Sequence, residues 1–62
     1  MSKEQAVLDW IEQNFEPDAV TITEFPLFPF GKKVTDQAGD EMVVYFDLLT
    51  NTVKFTFPGG EQ

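Results

Sequence analysis

The chain has 62 residues, 42% of them apolar, with 11 acidic side chains and 4 basic ones, all lysine. It contains no cysteine, histidine or arginine, which excludes a disulfide scaffold, an ordinary zinc site and thiol or imidazole chemistry. A chain this short hides only about 60% of its unfolded surface, so one small domain over residues 1–62 with a modest core is expected.

The formal net charge is −7. Binding to phosphate backbones needs clustered basic side chains, and the one basic cluster is Lys32-Lys33. Nucleic acid is therefore not expected as a direct partner, and anionic membrane surfaces are disfavoured for the same reason. The charge suits a basic protein surface and would speed the encounter with one. Its ordinary alternative role is to keep a small domain soluble. Residues 1–15 lack a basic start followed by an apolar stretch, and no apolar run approaches the ~20 residues of a membrane span. A cytoplasmic protein is expected.

Ser2 opens a helix. Its hydroxyl can accept from the backbone of Gln5, and Gln5 can reach back, as in a capping box. Val7, Leu8, Trp10, Ile11 and Phe15 fall on one helical face centred on Ile11. Gln5, Asp9, Glu12, Gln13 and Glu16 take the opposite face, and Pro17 ends the helix.

Residues 19–25 read as a strand, with Val20 and Ile22 alternating with threonines, and Pro26 stops it or marks an edge. The segment Phe25-Pro-Leu-Phe-Pro-Phe-Gly31 loses two backbone donors to proline, so it turns or extends and lays its rings on the core. Residues 32–35 form a short strand, and Asp36–Gly39 a turn with glycine at a positive φ. Residues 41–47 form a strong strand, with Met42, Val44 and Phe46 on one face and Val43, Tyr45 and Asp47 on the other. Asp47–Asn51 reads as a hairpin loop in which Asp47 bonds forward and Asn51 takes left-handed angles. Residues 52–57 return with Val53, Phe55 and Phe57 on one face, and the tail 58–62 is expected to fray. The fold class is α+β: one N-terminal helix packed on a small antiparallel sheet of three to four strands, in two layers. The helix buries Trp10, Ile11 and Phe15, and the second sheet face is open or covered by a partner.

No residue pattern suits catalysis. The one serine is committed to the helix cap, and the carboxylates show no apolar pocket that would raise a pKa. The protein is not expected to be an enzyme, and no cofactor is expected. Asp36, Asp40 and Glu41 surround a glycine turn but lack the alternating carboxylates of a calcium loop, so a solvated turn is the simpler reading and no metal site is expected.

Binding surfaces remain. Asp9, Glu12 and Glu16 form a row at helical spacing, with rungs about 5–6 Å apart, near the phosphate spacing of a nucleic-acid strand. Such a row could occupy a basic partner's site, although the polar side of an ordinary amphipathic helix explains it more simply. Phe28 and Phe30 share parity and would project together from an extended chain. If exposed, they are the first choice for a binding hot spot, against the plainer role of capping a small core. The last strand, at a sheet edge, could pair with another chain, including a second copy, while Lys54 guards against this. The expected function is a small acidic protein-binding module, an inhibitor or regulator docking on a larger basic protein. The alternative is an accessory subunit or homo-oligomer using its spare sheet face.

Overall fold

The computed structural model describes residues 2–58. A helix, α1 (Lys3–Asn14), is followed by a single 3-10 turn (Pro17–Ala19) and four strands: β1 (Val20–Glu24), β2 (Lys32–Asp36), β3 (Glu41–Asp47) and β4 (Thr52–Thr56). The strands form one antiparallel sheet in the order β1-β2-β3-β4, so each pairs with its neighbour in sequence. The α+β architecture expected from the residue pattern is the observed one. The tail expected to fray lies outside the described residues beyond Pro58.

Ser2 caps α1, its Oγ accepting from the Gln5 N–H at 3.0 Å. The reciprocal half of the capping box is absent. The Gln5 amide instead donates to Asp9 Oδ1 at 2.9 Å, one turn further along, a pairing that helical spacing makes easy. The helix ends at Asn14, earlier than expected. Phe15 is already extended (φ −138°, ψ 148°), and so is Glu16 (φ −72°, ψ 129°). Pro17 disfavours helical angles at the residue before it and then starts the 3-10 turn, where its missing N–H costs nothing.

The register places Val20, Ile22, Lys32, Val34, Met42, Val44, Phe46, Val53 and Phe55 on the sheet face beneath α1. Val7, Ile11, Val34, Val44 and Phe46 form the buried core, with Trp10, Phe15, Val20, Met42 and Val53 half-buried around it. The expectation that Trp10 and Phe15 are buried needs correction. Fully covered helix positions are Val7 and Ile11, while Trp10 rests on Phe55 at the core's margin, ring centroids 5.6 Å apart.

Lys32 also lies on the core-facing side and is only 4% exposed. Its ammonium is held by Glu4 of α1 at 2.8 Å and Glu24 of β1 at 2.6 Å. The hydrogen bonds it donates to Glu24 first and Glu4 second raise its pKa above the usual lysine value, against the desolvation that lowers it. The charged form is therefore kept, and the cluster fastens the start of the helix to two strands.

On the opposite face, Val43 is fully buried and Tyr45 half-buried. The Phe-Pro segment supplies part of the cover, with Phe28 stacked on Tyr45 at 4.8 Å and Phe25 against Phe28 at 5.8 Å. The segment turns twice and closes on itself through Phe25 N–H to the Gly31 carbonyl and Gly31 N–H to the Phe28 carbonyl. Glycine is required at 31, because a Cβ there would collide with the Phe25 carbonyl oxygen.

Two substitutions test this packing. Ile11→Ala is expected to cost ~2–5 kcal/mol, as for a large aliphatic side chain cut from a core, and to cost more than Trp10→Ala. Gly31→Ala, although it adds only a methyl group, is expected to cost ~1–3 kcal/mol by overpacking. Thermal melts give the order, and a melting temperature for Gly31→Ala equal to wild type would show that the loop relaxes freely.

Candidate functional site

Charge pairing shows where the surface is uncompensated. Lys32 is engaged by Glu4 and Glu24, Lys33 by Glu41 at 3.4 Å and Lys54 by Asp47 at 2.9 Å. Lys3 lies over the Phe46 ring, 5.7 Å from its centroid. Among the described residues, Asp9, Glu12, Glu16, Asp18, Asp36 and Asp40 have no lysine partner.

Topology gathers most of these carboxylates at one end of the sheet. The helix finishes there, carrying Glu12 and then Glu16, and the 3-10 turn follows with Asp18. Val20 pairs with Asp36, which sets that turn beside the β2–β3 turn carrying Asp36 and Asp40. The helix C-terminus adds the negative end of its dipole, and no basic residue occupies its last turn to offset it.

A cleft of about 610 Å³ opens at this acidic end. Phe15, Val34, Met42 and Phe57 supply its apolar lining, and Asp36, Asp40 and Glu41 its acidic part. The β2–β3 register aligns Val34 with Met42, and that of β3 with β4, continued by one residue, brings Phe57 alongside. The cleft is thus the last rung of the helix-facing side, reached where α1 gives out at Phe15. Phe57 in turn meets Phe55 edge-on at 5.9 Å, which continues the aromatic wall toward Trp10.

The β2–β3 turn is closed by its own side-chain and backbone bonds. Asp36 Oδ1 accepts from the N–H groups of Ala38 and Asp40, each at 2.9 Å, and Gly39 takes the positive φ of 91° that the turn requires. Among the described residues, no group of three or more side chains is arranged to hold a metal ion.

The residues singled out in the sequence do not form one surface. Asp9 is half-buried and bonded to Gln5, and Glu12 is exposed on the helix. Glu16 lies beyond the helix end, so the expected row of three helical rungs does not exist as such. Glu16 instead joins Asp18, Asp36 and Asp40. Phe28 and Phe30 are at the other end of the sheet and partly exposed. They do not project together from an extended chain, because the segment turns and Phe30 has a φ of 55°. Asp18, Asp36, Asp40 and Phe57 were not identified as binding residues from the sequence. Strand parity placed Phe57 on the core face, but only the register with Met42 and Val34 reveals the cleft.

Comparison with known proteins finds no matching family model, no similar curated protein and no similar solved structure. Among the described residues, no helix is long and apolar enough to cross a membrane.

The Asp47–Lys54 pair gives a pH test. Lys54 first, and the Leu49 N–H second, lower the Asp47 pKa from 3.8 to about 2. A depressed carboxylate pKa stabilises the fold above the unfolded value, and this contribution is lost as pH falls through the folded one. Asp47→Asn keeps an acceptor for Leu49 but removes the charge. The stability gap between wild type and Asp47→Asn is expected to be full above about pH 5 and to close progressively as pH falls from there through about pH 2. Denaturant melts across that range check it, and a gap independent of pH would show that the charge is not what matters.

Proposed function

We propose that the protein is a small acidic binding module that docks on a larger basic protein and thereby inhibits or regulates it. One observation carries this reading: most of the carboxylates without lysine partners lie at one end of the molecule, beside a cleft lined by Phe15, Phe57, Val34 and Met42 and edged by Asp36, Asp40 and Glu41. Carboxylates beside exposed rings suit lysine and arginine side chains. The charged head meets an acid, and the aliphatic stem or guanidinium plane lies on phenylalanine. Clustered charge of one sign also steers association with an oppositely charged surface.

Docking through Glu12, Glu16, Asp18, Asp36 and Asp40 replaces the straight helical row with a curved acidic rim. The rim spans the helix end, the 3-10 turn and the β2–β3 turn. The alternative use of the spare sheet face is less favoured, because Phe28 already occupies part of it by stacking on Tyr45. A chain without histidine or cysteine is suited to act by occupying a partner's site rather than by chemistry of its own.

The test is a pull-down from native host lysate at low and high salt, with captured proteins identified by mass spectrometry. Wild type is compared with the triple variant Glu12→Lys, Glu16→Lys, Asp18→Lys. An abundant basic partner is expected that elutes with salt and binds the triple variant roughly tenfold or more weakly. These three residues are exposed, so the circular dichroism spectrum is expected to be unchanged. A partner that resists salt and binds the variant equally well would overturn the proposal.

A further inference from the structure

The end of the sheet opposite the acidic cleft has a different character. Two loops lie at that end: residues 25–31 between β1 and β2, and residues 48–51 between β3 and β4. The Phe46 N–H donates to the Pro29 carbonyl at 3.0 Å, which laces the first loop to the strand that leads into the second. Neither loop contains a charged side chain. Leu27 is 81% exposed, Leu49 97%, Leu48 55% and Phe30 45%.

The loops that carry these side chains are closed by hydrogen bonds, and one ring is stacked. Phe28 is stacked on Tyr45. The tight turn is closed by Asn51 N–H to the Asp47 carbonyl at 2.7 Å and by Leu49 N–H to Asp47 Oδ1 at 2.9 Å. Phe30 adopts a left-handed backbone with φ of 55°, which bulky residues take only at an energetic cost and which glycine would accept freely. A strained position that keeps a half-exposed aromatic ring marks the ring as useful.

We infer that this loop end is a self-association surface, and that a second copy of the chain packs against it end to end about a two-fold axis. Area is the first argument. The exposed parts of Leu27, Phe28, Phe30, Leu48 and Leu49 amount to at most roughly 600 Å² per copy, so a two-fold contact removes at most roughly 1,200 Å², which places it with the small, weak interfaces and calls for a concentration-dependent dimer. Charge is the second. Each copy carries −7, so two copies repel wherever their acidic ends approach. Among the described residues, the acids flanking the loop end, Glu4, Glu24 and Asp47, are each paired with a lysine, and Lys3 lies nearby over Phe46. Contact through the loop end puts both acidic clefts outward, separated by two strand lengths of roughly 20 Å each. That is far beyond the screening length of about 8 Å at physiological salt. A charged partner finds no counter-charge on these loops, whereas a second apolar loop end matches them.

The experiment is sedimentation equilibrium of the wild type and of the double variant Leu27→Asp, Leu49→Asp, from about 1 µM to about 1 mM. Wild type is expected to rise from monomer to dimer mass with concentration. The dimer is expected to tighten as salt screens the residual repulsion. The double variant is expected to dissociate at least tenfold more readily with an unchanged circular dichroism spectrum. Concentration-dependent NMR shifts in the wild type, confined to residues 25–31 and 48–51, give a reading that does not depend on the variant's folding. A wild type that stays monomeric throughout, a dimer that the double variant leaves intact, or shifts confined to the acidic end would each overturn the inference.

Discussion

A helix of twelve residues is about 18 Å long and about 10 Å wide, and four strands spaced at ~4.8 Å present a wider face. One such helix cannot cover that sheet, and the remaining features follow from this shortfall. α1 packs over β3 and reaches β4, burying Val7 and Ile11 against Val44 and Phe46. Ile22 on β1 and Phe55 on β4 stay substantially exposed at the flanks. The last rung, Val34–Met42–Phe57, is left open beyond Phe15 and becomes the cleft. Among the described residues no second helix covers the opposite face, and the Phe-Pro loop folds back to supply part of its cover.

The Lys32 cluster makes this economical packing specific. A buried ammonium is costly unless charged partners reach it. The observed placement of α1 brings Glu4 to Lys32, while Glu24 approaches from β1 as its cross-strand neighbour. A helix slid along the sheet would leave the ammonium short of one acceptor. The same cluster consumes carboxylates at the loop end, as Lys33 and Lys54 consume Glu41 and Asp47 on the other face. Structural ion pairing thus sorts the charge: the acids left over are mostly those at the helix's far end.

What the sequence revealed was local. The Ser2 cap, the Asp47 and Asn51 roles in the hairpin and the Gly39 turn all depend on residues within four positions of each other, where side-chain chemistry dictates backbone angles. Strand faces followed from parity, because the side-chain period of two leaves no alternative once one face is buried. Helical periodicity misled at Glu16, since the period persists in the residue pattern while Pro17 forces the backbone out of the helix. The cleft was not legible, because Phe15, Val34, Met42 and Phe57 are brought together only by strand register and helix placement. Lys32 was hidden for a related reason. Its burial depends on Glu4 and Glu24, 28 and 8 residues away.

The meander order has a kinetic consequence. Every ladder joins strands adjacent in sequence, through loops of a few residues. Closing short loops costs little entropy, and hairpins form in about 1–10 µs. The step that joins the most distant parts of the chain is the seating of α1 on β3 and β4. Chains rich in local pairing fold quickly, and the slow contribution comes from such remote contacts. Trp10 meets Phe55 only when the helix is seated. Its fluorescence therefore reports that late event, while the amide signal of the sheet reports the earlier one.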